Sequence, residues 1–298
     1  MSLLPKGMAT IVLRQARASR TRKWLRASRI ATVSLRPVVA YSWWSSTTAL
    51  GVARALDGSG IPVVSRAHGY ALFAEQEAVG FVAFQAELLR RSTAVRSVSE
   101  ASTARLRALH SQHTEKVSTA RLGVAEHANV KPRPGAWPFH VLSCSAILPV
   151  QRIELISEAV GILRRRVPPN DVRWTHIGSG LGMPALEQRL AEDLEVLRCT
   201  TLLGQISPEA VMAWYADNPV DVAINVSSSE MVGSGGGVLL PADPTPVQIA
   251  DALAYLAGAT AAQVAGLREW ARRIWQTRYS ASRNYAEFTV WLVSIALR

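Results

Sequence analysis

The sequence predicts an α/β protein built from two Rossmann-like domains, each a parallel sheet covered by helices. Three observations lead to this prediction. Short apolar runs alternate with helix-length patterns, as expected for βαβ units. A stretch rich in turn-forming residues, 131–138, separates two such series. The 298 residues can also form two domains that each bury a core without a disulfide or metal.

The elements follow from these patterns in chain order. The apolar runs predict strands at Val38–Tyr41, Ile61–Ser65, Val95–Val98, Lys116–Thr119, Phe139–Cys144, Arg173–Ile177, Thr200–Leu203, Asp221–Val226 and Gly237–Leu240. Helical periodicity predicts helices near 47–57, 71–91, 99–113, 151–166, 183–197, 207–217 and 245–258, and from there to the C-terminus.

The helix at 151–166 has the clearest pattern. Ile153, Ile156, Val160 and Leu163 recur every three or four residues and form one apolar stripe. We expect this stripe to face a sheet. The boundary in 131–138 predicts a first domain at 1–134 and a second at 135–298 that includes the C-terminal helices.

Positive charge is concentrated near the N-terminus. The chain has a net charge of +11, and residues 6–36 contain nine Lys and Arg and no acid. One interpretation is contact between residues 14–29 and an anionic membrane surface, with Trp24 and Leu25 as interfacial anchors. Others are nucleic acid and a solvated helix face. The sequence lacks a base-stacking motif, so we expect no specific nucleic-acid partner.

The cysteines and the N-terminus predict a cytoplasmic protein. Cys144 and Cys199 lie in apolar contexts that suggest reduced, packed thiols. Pro5 and Lys6 interrupt the first apolar residues, so we expect no secretory signal. No apolar run is long enough to span a bilayer.

Several standard chemistries lack their motifs. The sequence contains no phosphate-binding P-loop, no nucleophile elbow, no Cys-x-x-Cys pair and no His-Glu-x-x-His. His110 and His113 are one helical turn apart, but no third ligand is evident, so we predict no metal site. Trp43 and Trp44 are expected to be core residues, although an acceptor groove is an alternative.

A glycine-rich turn is the main candidate for ligand binding. The sequence GlySerGlyLeuGly at 178–182 follows a predicted strand and precedes a predicted helix. Backbone amides at such a turn can bind a phosphate or a ribose. The alternative is a tight turn without a ligand.

Seven motifs occur in an order that resembles the retaining GT-B glycosyltransferases of bacterial polysaccharide and lipopolysaccharide synthesis, especially the colanic-acid type. They are ValSerArgAlaHisGlyTyr (64–70), ValArgSerValSerGlu (95–100), ArgLeuGlyVal (121–124), LeuSerCysSerAlaIleLeuProValGlnArg (142–152), HisIleGlySerGly (176–180), LeuLeuGlyGlnIle (202–206) and AsnValSerSerSerGlu (225–230). The resemblance implies a GT-B fold with sheets facing a cleft. It also implies transfer of a sugar from a nucleoside diphosphate sugar to a polysaccharide or lipid-linked acceptor, without a cofactor or metal.

The resemblance also implies roles for individual residues. His68 and Glu230 would be catalytic, and Arg66 would lie on the acceptor side, in the first domain. The donor would be bound by Gly178, Ser179, Gly180, Arg152, Gln151 and Ser229.

The sequence departs from the family pattern at several points. Ala146 and Gln151 stand where the family has basic residues, and a second glutamate after Glu230 is missing. Only about ten residues separate the strands predicted at 221–226 and 237–240, too few for a parallel crossover. Either these strands are not neighbours or the sheet has a gap. Since the chain also resembles a first domain that starts part-way, we expect both domains to be incomplete. An inactive remnant and a basic binding protein are therefore alternatives to an active transferase.

Overall fold

The protein forms two compact units in a computed structural model. The structure describes residues 6–28, 37–69, 72, 81–126, 138–166, 171–226 and 236–298. The first unit combines residues 1–125 with 278–298, and the second contains residues 126–277. The predicted α/β class with two Rossmann-like units is confirmed.

A four-stranded parallel sheet forms the centre of the first unit, in the order β1-β2-β3-β4. Its elements are α1 (Lys6–Ala27), β1 (Ala40–Ser42), α2 (Thr47–Ala55), β2 (Val63–Ala67), α3 (Gln85–Arg91), β3 (Ala94–Ser97), α4 (Glu100–Leu109), β4 (Val117–Thr119) and α11 (Ala281–Ala296). Each strand pairs with the next in sequence, which is the arrangement that βαβ repeats predict.

Helix α1 packs against α2 through small residues. Ala18 is fully buried, and Gly51 lies opposite it. A Cβ on Gly51 would come within 2.5 Å of the Ala18 carbonyl oxygen, so this close approach requires glycine. Leu25 is also buried in this contact. The prediction that Leu25 anchors a membrane is therefore wrong, because its side chain belongs to the core.

The last helix, α11, belongs to the first unit. The prediction that it lies in the second domain is wrong. The Val124 amide donates to the Tyr279 carbonyl, and the Asn284 side chain donates to the Leu122 carbonyl. Ile295 packs with Val64 of β2 in a small core on the sheet face that α11 covers. Backbone pairing and aromatic packing outweigh sequence proximity here.

The second unit contains another four-stranded parallel sheet, in the order β7-β6-β5-β8. Its elements are β5 (Phe139–Cys144), α5 (Ile153–Arg166), β6 (Val172–Ile177), α6 (Met183–Glu192), α7 (Leu194–Cys199), β7 (Thr200–Leu202), α8 (Pro208–Asp217), β8 (Val222–Ala223), α9 (Pro246–Ala257) and α10 (Ala261–Ile274).

Helix α5 forms the centre of the second core, as its apolar stripe predicts. Ile156, Val160 and Leu163 are almost completely buried and belong to one cluster with Ile249 of α9 and Trp174 of β6. Burying a side chain of this size contributes about 1.5–3 kcal/mol, so the stripe is a principal source of stability.

One predicted strand does not form. Residues 237–240 are not in a strand, and β8 contains only Val222 and Ala223. A cavity of about 690 Å³ is lined by residues of β8 and by Val238 and Leu240. The two segments are therefore not neighbouring strands. This agrees with the interpretation that the connecting chain is too short for a crossover.

Two further expectations concern surface properties. Cys144 is exposed at the end of β5 and Cys199 is partly buried, and both are free thiols. The prediction of a packed Cys144 is therefore wrong, because the strand end is open. In the part of the chain that the structure describes, no helix has the length and apolar character needed to cross a membrane.

Candidate functional site

The glycine-rich turn lies at the carboxyl edge of the second sheet, directly after β6. Gly178 has a φ of 140°, which L side chains rarely adopt. A Cβ at this position would be 1.9 Å from the Ser145 carbonyl oxygen, and one on Gly180 would be 2.5 Å from the Ile147 carbonyl oxygen. Both glycines are therefore required by the close approach of the segment that follows β5.

Hydrogen bonds tie this turn to the neighbouring loops. The Ile147 amide donates to the Ser179 carbonyl at 3.0 Å, and the Gly182 amide donates to the Ile147 carbonyl at 3.0 Å. The Gly178 amide donates to the Gly204 carbonyl at 2.8 Å, beyond β7. We call the segments 145–147, 178–182 and Gly204 the glycine-loop edge. It is a rigid platform because three strand ends share these bonds.

Three amides of the glycine-loop edge remain available to a ligand. Within the described residues, the amides of Ser179, Gly180 and Leu181 have no hydrogen-bond acceptor. They precede α6, whose N-terminus lacks a side-chain cap. Leu181 is 91% exposed. Unpaired amides before a helix N-terminus favour an anion, because the helix dipole points its positive end there.

A buried polar network lies beneath this edge. Trp174 Nε1 donates to Ser143 Oγ at 2.9 Å, and Ser143 Oγ lies 2.8 Å from His176 Nδ1. We assign the Ser143 proton to this second bond, which leaves the His176 proton on Nε2. Burial lowers the pKa of His176 to about 4, and the Ser145 backbone partly opposes this effect. The imidazole is therefore neutral at physiological pH.

Arg152 lies just before α5 in a left-handed conformation, with φ 50° and ψ 42°. Its guanidinium donates to Asp243 Oδ1 at 2.8 Å, to the Ala242 carbonyl at 3.2 Å and to the Val226 carbonyl. Arg152 thus links the two ends of the segment between 226 and 242. Its predicted contact with a diphosphate stays a prediction, as does that of its half-buried neighbour Gln151.

Two of the predicted site residues, Ser229 and Glu230, lie outside the described residues. Their predicted roles in donor binding and catalysis remain sequence predictions.

His68 and Arg66 lie close together in the first unit, at the carboxyl end of β2. His68 Nε2 is 3.0 Å from the Trp43 carbonyl oxygen, so the proton lies on Nε2 and Nδ1 is an acceptor. Burial lowers the pKa of His68, the bond to Trp43 opposes this, and the charge on Arg66 adds to it. The Trp44 ring lies 4.1 Å from the imidazole, centre to centre.

Trp43 and Trp44 are not core residues. They are 41% and 45% exposed, respectively. The prediction that they are buried is wrong, because β1 ends at Ser42 and both indoles follow its carboxyl end. This position agrees with the alternative interpretation, in which they contribute to a groove.

Arg66 is fully buried, and its contacts are aromatic. Its guanidinium carbon lies 4.1 Å from the centre of the Phe288 ring and 5.1 Å from that of Trp43. Within the described part of the chain, none of its three side-chain nitrogens has a hydrogen-bond partner. Burial lowers the pKa of Arg66, and Tyr41 and Tyr285 oppose this effect. A guanidinium in such surroundings normally has acceptors.

A second arginine lies beside it, which the sequence prediction missed. Arg96 of β3 is in register with Arg66, and its guanidinium carbon lies 3.6 Å from the centre of the Trp291 ring. Its Nη1 donates to Ser118 Oγ, whereas Nε has no partner. Burial lowers the pKa of Arg96, and the charge on Arg66 adds to this. A charged residue within an otherwise buried strand was the available signal. We call Arg66, Arg96, Trp43, Phe288 and Trp291 the arginine–aromatic cluster.

The ring of His110 has a side-chain partner on α3. His110 Nε2 bonds to Gln85 Oε1 at 2.7 Å. Among the described residues, no group of three or more His, Cys, Asp or Glu side chains could hold an ion.

Comparison with known proteins identifies the fold. No family model matches the sequence, and no curated protein matches it. Among solved structures, HepE of Anabaena in complex with UDP is 15% identical, with a TM-score of 0.68 over 93% of this chain and 82% of HepE. The lipopolysaccharide outer core galactosyltransferase WaaB is 14% identical, with a TM-score of 0.62 over 93% and 80% of the two chains. A glycosyltransferase of Rickettsia africae is 13% identical, with a TM-score of 0.63 over 99% and 84%.

These likenesses establish the fold class. The two parallel sheets of this chain match those of GT-B glycosyltransferases, which have two Rossmann-like domains. The predicted fold class is thus confirmed.

Proposed function

We propose that this protein is a glycosyltransferase that moves a sugar from a nucleoside diphosphate sugar to a polysaccharide or lipid-linked acceptor, with retained configuration. One observation carries the proposal: the glycine-loop edge presents three unpaired amides before the N-terminus of α6. A diphosphate is the anionic part of such a donor, and this arrangement of amides suits it. HepE, which has the same fold, has been solved with UDP.

The proposed mechanism uses electrostatic stabilisation of the leaving group. As the bond between sugar and diphosphate breaks, negative charge builds up on the phosphate oxygens. Fixed amides of Ser179, Gly180 and Leu181 stabilise this charge, because they are already oriented by the bonds around Ile147. We propose that transfer needs no metal ion. His68 and Glu230 are the proposed catalytic residues.

Donor binding is tested by adding charge to the exposed loop. Leu181→Glu places a carboxylate beside the three amides, and the exposure of Leu181 means that folding should be unaffected. We expect at least about tenfold weaker binding of UDP by ligand-observed NMR and thermal shift. Leu194→Glu, on α7 of the same unit, is the matched control. Equal binding of UDP to both variants would contradict the proposed position of the diphosphate.

Catalysis needs a separate test. We expect Glu230→Gln to bind UDP like the wild type and to lose transfer from a UDP- or GDP-sugar in a product assay. The cavity beside β8 supports the alternative of an inactive remnant, because the sheet has no further strand there among the described residues. UDP binding without any transfer or hydrolysis by the wild type would favour this alternative.

Helix α1 supports an additional contact with an anionic membrane surface. Leu13 and Trp24 are 60% and 64% exposed on the side of α1 that faces away from Ala18, near Arg20 and Lys23. Exposed apolar and basic side chains on one helix face are typical of interfacial helices. Trp24 keeps its proposed role as an anchor.

Vesicle sedimentation tests this contact. The wild type should bind phosphatidylserine-containing vesicles more strongly than pure phosphatidylcholine vesicles, and Trp24→Ser together with Arg20→Glu should abolish the difference. Arg90→Glu, at an exposed position on α3, is the control. Binding to duplex DNA with a steep salt dependence, and none to vesicles, would favour the nucleic-acid interpretation.

A further inference from the structure

The arginine–aromatic cluster contains two cations, Arg66, which is fully buried, and Arg96, which is half-buried. Arg66 and Arg96 occupy paired positions on neighbouring strands. Among the described residues, neither makes an ion pair with a carboxylate. Elsewhere in the same unit, Arg54 and Arg91 both bind Glu87. The missing counter-ion is therefore a local feature of this cluster.

Such an arrangement is costly for folding. Burying a charge without a counter-ion is unfavourable, and a second like charge beside it adds repulsion. The cation–π contacts with Phe288, Trp43 and Trp291 offset only part of this cost. Charges that do not stabilise the fold are often retained for a ligand.

The position of the cluster suits a ligand. Arg66 and Arg96 are each one residue from the carboxyl end of their strands, where open α/β sheets bind ligands. Trp43 and Trp44 are half-exposed at the same edge and offer flat apolar faces. His68 Nδ1 is an acceptor next to them.

We propose that this edge of the first unit binds a sugar that carries an oxyanion, either a phosphate or a carboxylate, and that this anionic sugar is the acceptor. The oxyanion pairs with the guanidinium of Arg66, a planar fork that fits two oxygens. The sugar ring packs on the indole of Trp44. This inference deepens the proposed function and rests on it, because it takes the ligand of the first unit to be the acceptor.

Access to Arg66 requires a movement of one side chain. Arg66 has no exposed surface, and Trp43 is the more exposed of the two rings on its guanidinium. Rotation of the Trp43 indole opens a path for the oxyanion. The Trp43 indole contacts the Arg66 guanidinium and the His68 ring, so this rotation exchanges both contacts for those of the ligand.

The test measures binding of glucose 6-phosphate, glucuronate, glucose and inorganic phosphate to the full chain by ligand-observed NMR and thermal shift. We expect one or both anionic sugars to bind, and the neutral sugar and free phosphate to bind at least about tenfold more weakly. A response to the phosphate sugar alone, or to the uronate alone, identifies the oxyanion. Equal binding of inorganic phosphate would overturn the role of the sugar ring, and no binding of either anionic sugar would overturn the proposal.

Variants separate a ligand site from a structural role. Arg66→Met removes the charge and keeps an unbranched apolar side chain, although it is shorter than that of arginine. We expect it to lose at least about tenfold in affinity for the anionic sugar while its Tm stays the same or rises. Trp44→Ala should lower the affinity for the anionic sugar without changing the Tm. Arg90→Met is the surface control. A large fall in Tm for Arg66→Met with unchanged sugar binding would show that Arg66 is structural.

UDP binding is measured on the same samples. A protein that binds UDP but ignores both anionic sugars would overturn this inference and leave the proposed transferase intact. A protein that binds an anionic sugar but no nucleotide would contradict the proposed function instead.

Discussion

Two arginines at the carboxyl edges of the two sheets have opposite surroundings, one polar and the other aromatic. Arg152 in the second unit donates to three oxygens and joins segments that are far apart in sequence. Arg66 in the first unit is more deeply buried but has only aromatic rings around it. The first arginine stabilises its fold, whereas the second leaves its hydrogen-bonding capacity to a ligand. Pairing, and not burial alone, therefore distinguishes a structural cation from a candidate binding residue.

The carboxyl edges of the two sheets also differ in how their polar groups are satisfied. The glycine-loop edge satisfies most of its polar groups internally and presents only a few fixed amides. The edge of the first unit exposes two indoles and contains one fully buried and one half-buried arginine. The second unit should thus be sensitive to changes in shape, and the first should tolerate loss of charge.

The largest expected effect is that of Gly178→Ala. The new Cβ would lie 1.9 Å from the Ser145 carbonyl oxygen, and the backbone φ of 140° is unfavourable for alanine. We expect a loss of about 4 kcal/mol or more in the free energy of unfolding, measured by urea denaturation. Gly204→Ala is the control, because its φ is also positive but nothing lies within 4 Å. Similar losses in the two variants would show that the backbone conformation matters and the interlocked loop does not.

The pH dependence of stability should reveal the buried network of the second unit. His176 has a folded-state pKa of about 4, below its ordinary value near 6.5. As the pH falls below about 6.5, His176 is protonated in the unfolded chain but not in the folded protein. The stability that the neutral imidazole contributes is therefore present above pH 6.5 and is lost as the pH falls to 4. The loss is roughly 3 kcal/mol. His176→Asn should flatten this part of the profile, and an unchanged slope between pH 6.5 and 4 would be contrary to a neutral buried imidazole.

Much of the fold could be predicted from the sequence, because its core signals are local. The bounds of β5 and β6 were predicted within one residue and those of α5 within two. The apolar residues at 237–240 predicted a strand that does not form, because strand formation depends on pairing with a neighbour and local apolar character does not determine that pairing. The position of α11 depends on pairing with 122–124, which is distant in sequence.

The candidate site was predictable only in part. The glycine loop was found by its spacing, but its glycines are required by the approach of residues 145–147, which no local pattern reveals. Arg66 came from the family resemblance. The position of Arg96 beside Arg66 depends on the register of two strands. The hydrogen-bond donors left without a partner on both arginines depend on which side chains surround them.

Arg152→Met should have a moderate effect. It removes hydrogen bonds to Asp243 and to two backbone carbonyls, and we expect a loss of about 2 kcal/mol in the free energy of unfolding. Arg152→Lys should lose less of the free energy of unfolding than Arg152→Met. Arg66→Met, which removes the same charge from the other edge, should lose nothing. If both Met variants lost equal stability, the proposed difference between the two arginines would be wrong.

The smallest expected effect tests whether the first unit depends on its paired charges. Arg54 and Arg91 donate to Glu87, and the bond from Arg54 is the main cause that lowers the Glu87 pKa to about 2. Because the folded-state pKa is depressed, the stabilisation is present above the ordinary value near 4.5 and is lost as the pH falls towards 2. After allowance for solvent screening we expect about 1–2 kcal/mol. Glu87→Gln should remove this acid-dependent loss, measured by denaturation between pH 5 and 2. Glu115→Gln is the exposed control, and its profile should match that of the wild type. An equal change in both variants would mean that the paired carboxylate of Glu87 contributes no more to stability than an exposed carboxylate.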